Sequence, residues 1–165
     1  MNYVVGFVFE KNPVTAVWEV LLIRKTRPSW QAGLLNGVGG KIELLEASSE
    51  AMVREFQEET GVRTTVDQWR NVTSIRISPE LPFRAFPSPS YVHFFRYDEH
   101  GSAVLNNFHH LVRATTDEIP EWLDVELIGA RTDLIRNLQT LIPMAFHGGF
   151  EPAFILQDGP YHDRT

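Results

Sequence analysis

The stretch from Gly40 to Val62, GKIELLEASSEAMVREFQEETGV, constrains this chain more than any other part of it. From Ser48 onward its pattern is helical. Ser48 or Ser49 stands as an N-cap, Glu50 falls in the first turn where the helix dipole favours a carboxylate, and Met52 and Phe56 repeat at i, i+4. Gly61 supplies a left-handed stop. On that helix Glu55, Glu58 and Glu59 stand at i, i+3 and i+4, so three carboxylates leave from one face while Met52 and Phe56 turn away from it. Like charges so close repel, and two readings stand: a solvated acidic face, or a seat for a cation. The glycine-rich approach, Arg54 placed to pair with the carboxylates and the glycine stop weigh toward the cation. Clustered carboxylates suit hard divalent ions such as Mg²⁺, which take oxygen ligands and keep waters that can be polarised.

The rest of the chain supplies a scaffold for this helix. Tyr3 to Phe9 and Val17 to Ile23 are rich in β-branched and aromatic residues and read as core strands, separated by the turn-like Lys11-Asn12-Pro13. Residues 24 to 40 mix cations with Gly33, Gly37, Gly39 and Gly40, a composition that lets backbone approach a ligand closely. Val72 to Ile77 and Tyr91 to Tyr97 read as further strands on either side of the proline-rich Ser78 to Ser90. Val104-Leu105 and Leu111 to Ala114 read as short strands. A closing helix is expected over Asp133 to Ala145, where Leu134, Leu138, Leu141 and Ile142 keep helical spacing ahead of His147-Gly148-Gly149.

With 165 residues, 43% of them hydrophobic, residues 1 to 165 are expected to form a single domain. Acidic residues outnumber basic ones 21 to 15, a net charge of -6, which disfavours stable nucleic-acid binding or attachment to an anionic membrane. An anionic substrate must then be held by local cations or metal. The absence of cysteine excludes disulfides and thiolate metal sites. The first ten residues carry no basic leader, and no apolar run approaches membrane-spanning length; the expectation is a soluble cytoplasmic protein. The sequence sets no oligomeric state.

The Gly40 to Val62 stretch resembles the Nudix box: Gly, five residues, Glu, seven residues, Arg-Glu, an apolar residue, any residue, Glu-Glu, any residue, Gly, and a final apolar residue. Gly40, Glu46, Arg54, Glu55, Phe56, Glu58, Glu59, Gly61 and Val62 meet every fixed position. That resemblance implies an α+β Nudix fold, an α/β/α sandwich around a central mixed β-sheet, with the box forming loop, helix and loop. It implies a Mg²⁺-dependent hydrolase, with Mn²⁺ as a possible substitute. It further implies metal ligation by Glu55, Glu58, Glu59 and the Gly39 carbonyl, with Glu46 and Arg54 holding the loop onto the helix. An ordinary surface ion pair is the other reading of Glu46 and Arg54. The family's extra acidic ligand, from a loop before a tryptophan, falls on Asp117 to Trp122, where Glu118 matches better than Glu121; both also read as plain loop charge.

Leu35 to Lys41 is similar to the approach to the box in the MutT-type branch, which acts on oxidised purine nucleoside triphosphates. Leu141-Ile142-Pro143 and Phe146 to Phe150 are loosely similar to its closing helix and following strand. In that branch a side chain early in the loop packs on the base and an Asn before the glycines reads its edge; Trp30 and Asn36 occupy those places here. Trp30 offers a stacking face and Asn36 both donates and accepts, while the alternative makes them a loop anchor and a turn residue. Arg24, Lys25, Arg27 and Lys41 form the densest basic patch of the chain; each alone also reads as a solvated charge, but together they favour a phosphate role for at least one, with Lys25 and Lys41 as candidate phosphate contacts. Asp133 and Asn137, one helical turn apart, are candidates for a second base contact, with helix capping as their alternative.

The expected reaction is hydrolysis of a purine nucleoside triphosphate, oxidised or ordinary, to monophosphate and pyrophosphate by attack of water on phosphorus. Two alternatives stand beside it: hydrolysis of ADP-ribose or a dinucleoside polyphosphate, and a nucleotide-sensing module without turnover. Some relatives lose box carboxylates when they become sensors, and all three are present here. The Ser78 to Ser90 segment, with Phe83, Arg84 and Phe86, departs from the branch and is expected to bear on substrate choice, the other reading being a rigid surface loop that docks its two Phe side chains.

Overall fold

The computed structural model describes residues 1–77, 90–98, 107–115, 117–135 and 137–148, and the backbone of 153–156. The segment 78–89, the pair Val104-Leu105 and Phe150, all given roles above, lie outside the described residues.

The apolar opening forms two strands, β1 (Asn2–Phe7) and β2 (Phe9–Lys11), which meet at Val8. A turn follows in which the Asn12 side-chain oxygen accepts the Val14 and Thr15 N–H groups at 2.9 and 3.0 Å, an Asx turn that returns the chain as β3 (Trp18–Arg24). The two-residue β4 (Leu35–Asn36) pairs antiparallel with the end of β3, and α1 (Ser48–Thr60) carries the box glutamates. Then come β5 (Trp69–Ile77), β6 (Ser90–Tyr97), the short α2 (Phe108–Leu111), β7 (Ile119–Asp124), α3 (Leu138–His147) and β8 (Ala153–Leu156).

One sheet has the order β1-β6-β5-β8 and is mixed: β1 runs parallel to β6, β6 antiparallel to β5, and β5 parallel to β8. The other is antiparallel, with β3 between β2 and β7 and with β4 on its end. Side-chain alternation along β3 divides the core. Leu21 and Ile23 join Met52 and Phe56 of α1, whereas Val20 and Leu22 join Leu138, Leu141 and Ile142 of α3. Phe94 and Phe95 of β6 split in the same way. Strands thus lie between two helical layers, the α+β sandwich expected of the family.

Three local expectations are corrected. The N-cap of α1 is Ala47, so Ser48 and Ser49 lie inside the first turn; the Glu50 carboxylate reaches back to accept the Ala47 N–H at 2.9 Å. Leu111 to Ala114 is not a strand. The Glu10 carboxylate accepts the N–H groups of Phe108 and His109 at 3.0 and 2.8 Å, capping a single helical turn that takes in Leu111. The closing helix begins at Leu138 rather than Asp133, because Leu134 bridges Leu35: the Leu35 N–H donates to the Asp133 carbonyl and the Ile135 N–H to the Leu35 carbonyl. Among the described residues no helix is long and apolar enough to cross a membrane.

Candidate active site

The chain between Val38 and Ile42 lies along the edge of β1 that β6 leaves free. Val4 N–H donates to the Gly40 carbonyl at 2.9 Å, Gly6 N–H to Val38 at 2.7 Å and Ile42 N–H to Asn2 at 2.9 Å. Gly39 sits at φ +153°, and a Cβ there would lie 2.1 Å from the Val4 carbonyl oxygen, so only glycine lets the loop follow β1 this closely. Helix α1 then lays its acidic face on that loop. The Glu55 carboxylate packs on Gly40, where a Cβ would fall 2.6 Å from its atoms. The Gly39 N–H donates to Glu59 at 2.9 Å.

Arg54 gathers one half of the site. Its Nε and Nη2 donate to the two Glu46 oxygens at 2.8 and 3.0 Å, and its Nη1 to Glu55 at 2.9 Å and Glu58 at 3.2 Å. Nη2 also donates to the Lys41 carbonyl at 3.0 Å, so one guanidinium ties loop to helix. The bidentate hydrogen bonds from Arg54 hold the Glu46 carboxyl below the usual carboxylate range. Glu55 goes the other way, because burial outweighs its bond to Arg54 and raises its pKa. Glu58 is the most open of the three glutamates, 56% exposed, and its backbone carbonyl accepts the Thr115 hydroxyl.

The other half is buried. Antiparallel pairing sets Arg24 opposite Ile119, which brings Lys25 and Glu118 together one step further along. The Lys25 ammonium donates to Glu118 at 2.5 Å and to Glu59 of α1 at 3.0 Å. All three residues are more than nine-tenths buried. Burial pushes the Glu59 carboxyl up to about 7, against the opposing pull of Lys25 and the Gly39 N–H. Burial also works against the Lys25 charge, but Glu59 and Glu118 outweigh it and raise its pKa.

The remaining candidates lie on the neighbouring loops. Trp30 packs against the α3-side core, and the Asn36 side chain accepts the Gly37 N–H at 2.9 Å while donating to Gln31 at 3.4 Å. Asp133 stands outside α3 and accepts bonds from Arg131 at 2.8 and 2.7 Å and from Arg24 at 3.1 Å, which hold its carboxyl low. Asn137 is the N-cap of α3, and its buried side-chain oxygen has no hydrogen-bond partner among the described residues. Lys41 is exposed. Among the described residues Arg27 pairs with Asp117 at 3.8 Å, and both are largely exposed.

Sequence reasoning missed the pairing of Arg24 with Glu121 across the β3–β7 ladder, which removes Arg24 from the pool of free cations. It also missed Gln31 beside Asn36. A charge opposite Lys25 was discoverable only through the β3–β7 register, because Glu118 is 93 residues away in the chain.

Glu55, Glu58, Glu59 and Glu118 offer oxygen donors alone, a chemistry that would suit a hard divalent cation rather than a soft one. Among the described residues no three acidic or histidine side chains converge as a finished cage. Arg54 donates to Glu55 and Glu58, and the Lys25 ammonium stands between the two buried carboxylates of Glu59 and Glu118.

Comparison with known proteins bears on the family and the fold. The CTP pyrophosphohydrolase of Escherichia coli K12 is 41% identical over 51 residues, a match that spans 31% of this chain and 38% of that protein. Among solved structures, a MutT/nudix family protein from Enterococcus faecalis superposes with a TM-score of 0.67 at 16% identity, over 89% of this chain and 61% of that one. The NUDIX domain of Shewanella oneidensis NrtR, solved in complex with ADP ribose, gives 0.63 at 16% identity over 90% and 87%. At such identities the structural likeness is one of fold. The family model described as NUDIX domain matches residues 3–143, a span that contains the whole of the Gly40 to Val62 box and both halves of the site, and the chain accordingly belongs to the Nudix family.

Proposed function

We propose that this protein hydrolyses a phosphoanhydride bond of a nucleoside triphosphate, releasing monophosphate and pyrophosphate, with Mg²⁺ as its cation and Mn²⁺ able to replace it. The observation that carries this reading is the packing of Glu55 onto Gly40 and the Gly39 N–H bond to Glu59, with Glu118, just ahead of β7, brought to Glu59 through Lys25. Glu55, Glu58, Glu59, Glu118 and the Gly39 carbonyl would hold the cation, whose chemistry is to neutralise charge on the anhydride oxygens and lower the pKa of water. Arg54 fixes Glu46, Glu55 and Glu58 relative to the loop. Lys25 and Lys41 are the cations for the phosphate chain.

For the base we favour a purine, oxidised or ordinary. Trp30 offers a stacking face, Asn36 presents its carboxamide beside the glycines, and the buried Asn137 oxygen, without a hydrogen-bond partner among the described residues, is a candidate acceptor for a ring or exocyclic N–H. Asp133, engaged by Arg131 and Arg24, positions this loop more than it reads a base. A second reading, a cytosine nucleotide, is favoured by the 41% identity to a CTP pyrophosphohydrolase. ADP-ribose is a third candidate, through the likeness to a domain solved with that ligand. We take the enzyme to act in the cytoplasm on small-molecule nucleotides. Its acidic net charge of -6 speaks against nucleic acid as a stable partner.

The test is a panel of purine, oxidised-purine and pyrimidine triphosphates, ADP-ribose and dinucleoside polyphosphates, incubated with protein and Mg²⁺ and resolved by chromatography. Preferential release of pyrophosphate from purine triphosphates, abolished by chelator, is expected. Preference for CTP or ADP-ribose selects the corresponding alternative, and binding without turnover of any of them rejects the enzymatic reading.

A further inference from the structure

We propose that Lys25 is a tethered stand-in for the divalent cation: its ammonium neutralises Glu59 and Glu118 in the metal-free protein and gives them up when the cation binds. This rests on the metal-dependent reading above and adds a competition between the protein's own side chain and its cofactor.

Position and charge argue for it together. The Lys25 ammonium lies 3.0 Å from Glu59 and 2.5 Å from Glu118, in a site where all three side chains are about 10% exposed or less. Two carboxylates so close and so buried disfavour each other's charge, and the ammonium that bonds both offsets that repulsion. A divalent ion carries twice the charge of the ammonium and would offset the two carboxylates more fully.

Lys25 is also built to let go. Its backbone is pinned, with its N–H donating to the Leu34 carbonyl at 2.9 Å and its carbonyl accepting the Gly33 N–H at 2.8 Å. Only the four-carbon side chain need move, and a lysine ammonium holds no fixed bidentate geometry. Arg54 is different, because its paired bonds to Glu46 and its bond to the Lys41 carbonyl anchor it independently of Glu55 and Glu58. Of the two cations in the site, Lys25 is therefore the one exchanged. Once released, and still tethered at the end of β3, it adds a positive charge for the substrate's phosphates.

The decisive measurement follows the ammonium itself. In the protein labelled with ¹⁵N-lysine and held in chelator, the Lys25 ammonium should give a protected proton-nitrogen signal, identified by its loss in the charge-keeping Lys25→Arg. Titration with Mg²⁺ should abolish that signal with the midpoint found for Mg²⁺ binding by calorimetry. Lys25→Met should unfold at a lower temperature in chelator and bind Mg²⁺ more tightly, on the order of tenfold, since no charged hydrogen bonds need be broken on entry. Lys25→Arg, which keeps the charge, should not tighten binding. Mg²⁺ binding that leaves the Lys25 signal unmoved overturns this inference alone, even if Lys25→Met proves too unstable to measure. No Mg²⁺ binding at all overturns the metal-dependent activity and this inference with it.

Discussion

Arg54 concentrates more of the site's order than any other single residue. Its guanidinium serves Glu46, Glu55, Glu58 and the Lys41 carbonyl at once, at 26% side-chain exposure. A surface pair of this kind is ordinarily worth little, but one cation shared by several partly buried carboxylates leaves each of them uncompensated when it is removed. Arg54→Ala is expected to lose about 1–3 kcal/mol of stability along with most of the activity. Arg54→Lys should recover charge but not the paired bonds to Glu46, and so only part of either. Urea unfolding together with turnover checks this; full stability with lost activity would make Arg54 a substrate contact instead. Asn36 invites a test of another kind. Its side-chain oxygen is spent on the Gly37 N–H, so what it offers a ligand is chiefly its amide donors. Asn36→Ala should raise KM for purine substrates more than for a pyrimidine control and leave the metal requirement intact, and equal losses for all bases would mean that it only shapes the loop.

At the scale of elements, the site depends on the loop from Val38 to Ile42 being held along β1, and Gly39 is the point where that contact is tightest. Gly39→Ala sets a Cβ 2.1 Å from the Val4 carbonyl oxygen, an atom fixed in a strand, at a φ that disfavours any side chain. A loss of roughly 2 kcal/mol or more is expected from the backbone strain alone, and thermal unfolding measures it. Wild-type stability would mean that the loop can leave β1 without cost. The same element shows what was legible in advance. The helix from Ser48, its Gly61 stop at φ +75° and the run of carboxylates on one face follow from periodicity and local stereochemistry, and they stand in the structure. The start of α3 was not legible, because Leu134 obeys helical spacing yet is drawn into an extended bridge with Leu35, a partner 99 residues earlier. Likewise the helical turn at Phe108 depends on a carboxylate from Glu10, and no window of local sequence contains both. The buried meeting of Lys25, Glu59 and Glu118 needs the strand register and the helix placement together.

Across the whole molecule, buried and arginine-held carboxylates pull the pH dependence of stability in opposite directions. Glu46 and Asp133, kept low by Arg54 and by Arg131 with Arg24, contribute stability that is present above the ordinary carboxylate range and is lost as pH falls through their own lower values. Glu59 has the reverse sign. Its carboxyl is raised from 4.5 to about 7 by burial, so between those values the folded chain holds a proton that the unfolded chain has released, and stability declines as pH rises through that window. Glu55, also raised by burial, adds to the decline. Lys25, raised above the ordinary lysine value of 10.5, stays charged throughout and does not alter the slope. In chelator the unfolding temperature should therefore peak in mildly acidic solution, near about pH 5, and fall toward about pH 8, where Glu59 is ionised in both states. Glu59→Gln has no carboxyl to ionise and should flatten the fall on the alkaline side while leaving the acid side unchanged. Calorimetric scans across that range decide the matter. A wild-type profile that rises steadily from acid to neutral pH would mean that Lys25 holds Glu59 ionised in the fold, with burial the weaker influence on that carboxyl.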